Sequence, residues 1–266
     1  MKLSISNIGW SQDNDETIYE LMKKYDYQGI EIAPTRIFPD NPYDCRQEVA
    51  DWSEAIDNDY GFCVSSMQSI WFGRTEMVFG NDSERHALID YTKKAIDFAA
   101  AAGCNNLVFG CPKSRVTPEN MTSDEIDEIA VAFFKELGDY AFESGTAIGM
   151  EANPLIYNTN YINDTVSAIE LIKKVNSPGF KLNLDLGTMI QNNESVDMLE
   201  GQVNLINHVH ISEPYLAPIE HRKLHEQLIT LLKREDYQGF ISIEMGKQED
   251  MAIIEEALSY VRSIVS

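Results

Sequence analysis

The chain is short of positive charge. Its 266 residues carry 21 Lys and Arg against 43 Asp and Glu, a formal charge of −22. A surface of that sign repels nucleic acid and anionic membranes, which argues against both as partners, and otherwise serves solubility. Cysteine is scarce. Cys45, Cys63, Cys104 and Cys111 form no CxxC pair, and two of them fall in or at the end of apolar runs. They are expected to be reduced and mostly packed inside, as in a cytosolic protein. No apolar run approaches the ~18 residues of a membrane span. The opening Lys2-Leu-Ser-Ile-Ser6 reads as a strand and lacks the apolar core of a signal peptide. A cytoplasmic protein is the expectation. No GxGxxG follows the first strand, and there is no P-loop and no GxSxG, so no dinucleotide or nucleotide site and no serine elbow is indicated. Cys111 has no evident base, which leaves cysteine nucleophilic catalysis without support.

What is present is an alternation of strand and helix along the whole chain. Strands are expected over 3–8, 29–33, 62–70, 106–109, 147–152, 180–186, 207–212 and 239–245, each a short two-sided apolar run. Helices are expected between them: from about Asp13, where Asp13 and Glu16 have capping-box spacing, then over about 46–57 and 83–102, and from a Thr122 cap to about Glu143. Further helices are expected from an Asp164 cap to about Val175, and over about 195–202, 221–234 and 251–265. Thr122 and Glu125 form a second capping-box pair, and Gly103 and Ser177-Pro-Gly179 mark stops. The spacing averages about 34 residues per repeat, with no linker or composition shift, as one (β/α)8 TIM barrel of α/β class requires. A single domain spanning 1–266 is the reading. A doubly wound sheet is the alternative, and the missing glycine fingerprint counts against it.

Four of these strands end in metal-binding side chains: Ile148-Gly-Met-Glu151, Leu182-Asn-Leu-Asp185, Asn207-His-Val-His210 and Ile241-Ser-Ile-Glu244. Barrel active sites lie at the C-terminal strand ends. Strand alternation puts Gly149, Glu151 and Asn153 on one face. The same parity groups Asn183 with Asp185, His208 with His210, and Ser242 with Glu244. Small or polar neighbours mark that face as the barrel interior. Ile148, Met150, Leu182, Leu184, Val209, Ile211, Ile241 and Ile243 then face the helices. Taken singly, a Glu after a strand is most often a solvated loop charge and a His a hydrogen-bonded core group. Four in register on successive strands make a ligand set for one divalent cation: Mn²⁺, Co²⁺, Mg²⁺ or Zn²⁺. A cation also offsets the repulsion and desolvation of three clustered carboxylates.

The order Glu–Asp–His–Glu on strands five to eight, with the phrases GMEANP, LDLGTM, HVHISEP and YQGFISIEMG, resembles the sugar-phosphate isomerase/epimerase family of the xylose-isomerase-like TIM barrel superfamily. The resemblance implies that Glu151, Asp185, His210 and Glu244 bind one metal. It also implies that Glu151 and Glu244 act as an acid/base pair on a sugar or sugar phosphate, moving a proton through a metal-bound cis-enediolate. No organic cofactor is needed. The family commonly carries Asp-x-x-His after strand six, whereas this chain has Thr188 at the fourth position. A hydroxyl hydrogen-bonds but carries no positive charge to an enediolate. A metal-dependent dehydratase acting on a cyclic polyol or keto acid is therefore a second reading, and a non-catalytic sugar-binding barrel a third. The related AP endonucleases use several more histidines, and five His with a charge of −22 speak against DNA. A homo-oligomer is compatible with the sequence.

Other residues take secondary roles as substrate-binding candidates. Gln68 and Trp71 end strand three, where Trp71 either floors a sugar site or packs its loop. Lys113 and Arg115 follow strand four and suit a phosphate or carboxylate, although solvated loop charges are the simpler reading. Asn153, Thr188 and Glu213 follow metal-binding positions and suit substrate hydroxyls. His208 is expected one layer below His210. His221 and His225 are spaced i,i+4, but Arg222 stands where HExxH needs Glu, so both are expected at the surface or in a loop.

Overall fold

A computed structural model describes residues 1–266. Eight parallel strands close into one barrel in sequence order, β1 (Lys2–Ser6) beside β2 (Gly29–Ile32), β3 (Cys63–Met67), β4 (Leu107–Phe109), β5 (Ile148–Met150), β6 (Phe180–Asp185), β7 (Ile206–Ser212) and β8 (Phe240–Glu244), with β8 returning to β1. Closure removes both sheet edges. Outside lie α1 (Asp15–Lys24), α2 (Pro34–Ile37), α3 (Arg46–Tyr60), α4 (Asp82–Ala101), α5 (Ser123–Glu143), α6 (Thr165–Val175), α7 (Leu186–Asn192), α8 (Lys223–Arg234) and α9 (Met251–Val265). No helix is long and apolar enough to cross a membrane.

The alternation expected of β5 to β8 is observed. The eight apolar residues assigned to the helix side are at most 1% exposed and belong to the core between strands and helices. The inward face is polar and equally buried: Ser4, Ser66, Asn106, Asn183, His208, His210 and Ser242. Some of these groups bond one another, whereas the Ser4 and Ser242 hydroxyls have no hydrogen-bond partner. Asn106, just before β4, donates from Nδ2 to Ser66 Oγ at 3.0 Å and to Asn183 Oδ1 at 3.2 Å, so one amide ties β3 to β6 through the barrel interior. That approach is possible because β5 has Gly149 at the crossing. A Cβ there would lie 2.6 Å from Asn106 Oδ1 and 3.1 Å from Asn183 Cβ. Gly149→Ala is expected to cost roughly 1–3 kcal/mol as an overpacked interior substitution, read from the midpoint of denaturant unfolding.

Two helix expectations are corrected. The first helix starts at Asp15 rather than Asp13. Asp13 lies in the preceding 3-10 turn, and the residue at the cap, Asn14, makes no side-chain cap bond. The carboxylate that matters is Asp15, which accepts from Trp10 Nε1 at 2.7 Å and pairs with Arg36 Nη2 at 2.5 Å. The helix expected over 195–202 is displaced to α7, directly after β6, because Asp185 caps it by accepting from Thr188 N at 2.7 Å. Left-handed Asn193 ends α7, and 196–199 and 203–205 are short 3-10 turns. The boxes at Thr122–Glu125 and at Asp164 form as the spacing requires. All four cysteines are free thiols, with Cys63 exposed and only Cys104 fully buried, so interior packing holds for fewer of them than expected.

Candidate metal centre

The C-terminal ends of β5 to β8 bring Glu151, Asp185, His210 and Glu244 together, with one donor atom from each within 4.8 Å of all the others. Asp185 pairs with His210 across β6–β7, while Glu244 pairs with Ser212, two residues beyond His210, across β7–β8, and the side chains converge from these staggered positions. His210 Nδ1 lies 3.1 Å from Glu151 Oε1 and 3.2 Å from Glu244 Oε2, so the two glutamates converge on one imidazole nitrogen. Asn183 fixes this corner, donating to Glu151 Oε1 at 2.9 Å and standing 3.3 Å from His210 Nδ1. Ser212 Oγ donates to Asp185 Oδ1 and accepts from Gly187 N at 2.8 Å. A cavity of about 150 Å³ opens over the cluster, lined by Glu151, Asp185 and Glu244 with Asn153, Tyr157 and Glu213 among the others. A hollow of about 760 Å³ beside α6 and α7, lined by residues such as Leu155 and Glu194, contains none of the four donors.

The charge balance of the cluster fits a divalent cation. Burial pushes the Glu244 carboxyl up to about 7, against the pull of His210. Burial and the Glu151 charge likewise raise Asp185. His210 moves the opposite way. Burial would lower its pKa, but the carboxylates of Glu31, Glu244 and Glu151 hold the imidazole well above its ordinary value. Carboxylates whose ionisation burial opposes at Glu244 and Asp185, beside an imidazole made basic by its acidic neighbours, form a site short of positive charge. Three oxygen donors and one imidazole suit Mn²⁺, Co²⁺, Mg²⁺ or Zn²⁺ rather than a thiolate-loving ion.

A family model described as xylose isomerase-like TIM barrel matches residues 19–264. The chain belongs to that family. Curated protein sequences include no match. Among solved structures, 3-keto-D-glucoside 4-epimerase YcjR from E. coli is 18% identical, with 99% of each chain covered and a TM-score of 0.77. A D-psicose 3-epimerase crystallised with D-fructose is 17% identical over 100% of this chain and 97% of its own, also with a TM-score of 0.77. IOLI, solved with a binding zinc atom, is 18% identical over 100% of this chain and 98% of its own, with a TM-score of 0.73. At such identities the likeness establishes the xylose isomerase-like barrel and leaves the chemistry to the site.

Within this barrel the remaining candidates fall into three places. Asn153 and Glu213 line the cavity. Asn153 donates to Glu151 Oε2 at 3.1 Å, and Glu213 is gripped through both oxygens by Arg222 at 2.7 and 2.6 Å. Thr188, His208 and Gln68 lie behind the donors. The Thr188 hydroxyl lies 2.8 Å from both Ala152 O and Asp185 Oδ2 and donates its one proton between these two acceptors, so it props Asp185 from behind. His208 sits beneath His210, and Gln68 Nε2 donates to Ser6 Oγ at 2.7 Å. Trp71 and Lys113 line a neighbouring cavity of about 430 Å³. Trp71 is buried edge-on against Phe109 and donates to Thr92 Oγ1 at 2.8 Å, whereas Lys113 is exposed.

Arg115 is no solvated loop charge. It is fully buried, donating to Glu151 O at 2.9 Å and Asn153 Oδ1 at 2.8 Å, which pins the end of β5. His225 is likewise interior, 3.1 Å from Tyr260 OH, while His221 stacks on the Tyr260 ring at 3.9 Å. Burial pushes the Cys111 thiol up to about 12, which makes it a poor nucleophile. Sequence reasoning missed three groups. Tyr157 reaches the cavity from the loop after β5, and Asn183 was grouped on the inward face without a role. Glu31 lies within β2, fully buried, with Oε2 2.9 Å from His210 Nε2 and 3.2 Å from His208 Nε2. Its only sequence signal is a carboxylate inside the apolar run Gly29–Ala33.

Proposed function

We propose that the protein is a divalent-metal-dependent isomerase or epimerase of a free sugar, with Glu151 and Glu244 as the proton-transfer pair. The convergence of Glu151, Asp185, His210 and Glu244 donors within 4.8 Å, from four successive strand ends, supports it most. A bound divalent ion would polarise a substrate carbonyl and its neighbouring hydroxyl, and so acidify the adjacent C–H. The chain's own groups do the rest. Glu151 and Glu244 both reach His210 Nδ1 and both line the cavity, so a substrate in that cavity meets two carboxylates. One accepts the proton at a carboxylate oxygen and the other returns a proton to the same or a neighbouring carbon.

The cavity wall favours an uncharged substrate. Its four charged side chains, Glu151, Asp185, Glu213 and Glu244, are all acidic, and the nearest arginine to them, Arg222, is already paired with Glu213 and Glu220. Lys113 opens to the neighbouring cavity. Free ketoses are therefore expected to be turned over with kcat/KM at least about 100-fold above that of their phosphate esters, a difference of about 2.7 kcal/mol in transition-state stabilisation. Competition between the two substrates checks it.

The test of the reaction class is a panel of free aldoses and ketoses incubated with the Mn²⁺-, Co²⁺- or Mg²⁺-loaded protein in D₂O. A proton-transfer enzyme introduces deuterium at one substrate carbon without a loss of water. Loss of water would identify the dehydratase reading, and a bound sugar that never takes up deuterium would identify a binding barrel.

A further inference from the structure

We propose that Glu31 is the positioning residue of the metal centre: its carboxylate holds the proton on His210 Nε2 and so leaves Nδ1 as the nitrogen that faces Glu151 and Glu244. This rests on the metal-binding reading above. The geometry is two-sided. One edge of the His210 ring meets Glu31 Oε2 at 2.9 Å, and the other meets Glu151 and Glu244 at 3.1 and 3.2 Å. With a cation at Nδ1 the imidazole would keep a single proton, and an ionised Glu31 only accepts, so that proton would lie on Nε2 beside Glu31. The other nitrogen then keeps its lone pair for a cation, as a histidine backed by a carboxylate does at metal sites. Asn183 agrees with this assignment, because the amide nitrogen it sets 3.3 Å from Nδ1 is itself a donor.

With His208 and His210, Glu31 also forms a second group of donor atoms within 4.8 Å of one another, set below the cavity group. It is fully buried, lines no part of the cavity and touches no space open to substrate. Its second oxygen is 3.4 Å from Gln68 Nε2, whose amide is held by Ser6. His208 Nε2 closes on the same Oε2 at 3.2 Å, with its ring perpendicular to that of His210. A bulge between Ile30 and Glu31 in the β2–β3 pairing sets this side chain across the barrel from β7. An isolated buried carboxylate is costly, and two imidazoles offset that cost.

The test compares the full-length wild type with Glu31→Gln, which keeps the volume but offers Nε2 a donor as well as an acceptor. Two readouts are taken on chelator-stripped protein: Mn²⁺ affinity by calorimetry, and the exchange-protected His210 Nε2–H resonance by ¹⁵N-edited NMR, with and without Mg²⁺. The expected result is Mn²⁺ binding about 10–100-fold weaker together with loss or a large upfield move of that resonance. Unchanged affinity overturns the proposal. Weaker binding with the resonance unmoved also overturns it, since a lost charge alone would explain that. If Glu31→Gln fails to fold, Glu31→Asp decides, because it keeps the charge but withdraws it by one methylene; wild-type affinity there overturns the proposal. A wild type that binds no Mn²⁺ removes the metal-binding reading itself, whereas a Glu31→Gln that binds as tightly as a competent wild type removes only the role of Glu31.

Discussion

Glu151→Gln and Glu244→Gln are each expected to lower kcat by about 10³-fold or more at saturating metal, with the circular dichroism spectrum unchanged. Glutamine keeps the shape of the side chain, and the Asn183 amide that donates to Glu151 Oε1 finds a carbonyl in the same place. What is lost is the charge and the ability to accept a proton from carbon, and general acid–base groups typically contribute 10²–10⁴-fold. Loss of a metal-binding oxygen adds to the deficit. Because the two carboxylates act on one proton path, the double variant is expected to be little worse than the poorer single one. Asp185→Asn separates the roles. Asp185 caps α7 through Thr188 and belongs to the donor set, but stands outside the proton path. Its activity is expected to recover substantially as metal is raised, while that of the glutamate variants does not. Steady-state rates across a metal titration read the difference.

Removal of the metal by a chelator is expected to abolish turnover and to soften the protein, with both effects reversed by adding Mn²⁺ or Co²⁺. The stability effect follows from the site's composition. Glu151, Asp185, His210 and Glu244 crowd at one barrel rim, and His210 lies between the carboxylates of Glu31, Glu151 and Glu244. A cation at 100 times its Kd would add about 2.7 kcal/mol to the folded state. For a chain of this size that corresponds to a rise in Tm of roughly 5–10 °C. Thermal unfolding of chelated and reloaded protein measures it. In Glu244→Gln the rise should shrink, because the added ion loses one charged donor.

The barrel was legible because each strand carries its own evidence. Ile241-Ser-Ile-Glu alternates apolar and polar residues, and a one-residue slip would turn Ser242 and Glu244 toward the helices. The clustering of Glu151, Asp185, His210 and Glu244 was legible for the same reason: equal parity on four strands is a local pattern, and barrel closure brings those four side chains together. Residues with a second role were harder to read. Asp185 was recognised as a donor, but it also caps α7, and Gly187 and Thr188 behind it weaken the helical signal. Three further residues depend on partners far away in the chain. Glu31 meets His210 only once β2 and β7 face each other across the barrel. Arg115 finds Glu151 O and Asn153 after β4 and β5 pair, and His225 finds Tyr260 when α8 packs on α9. Nothing within a few residues of any of them announces the partner. The solvated-surface readings of Arg115 and His225 followed from residue type alone, and burial reversed them.

The placement of the metal is tested most directly by a crystal of the protein grown with Mn²⁺ and measured for anomalous scattering. One peak is expected, within bonding distance of Glu151, Asp185 and Glu244 oxygens and of His210 Nδ1, with Glu31 still against His210 Nε2. A peak seated instead among Glu31, His208 and His210, or no peak at the C-terminal rim of β5 to β8 at saturating Mn²⁺, would falsify the metal centre and, with it, the proton-transfer role of Glu151 and Glu244.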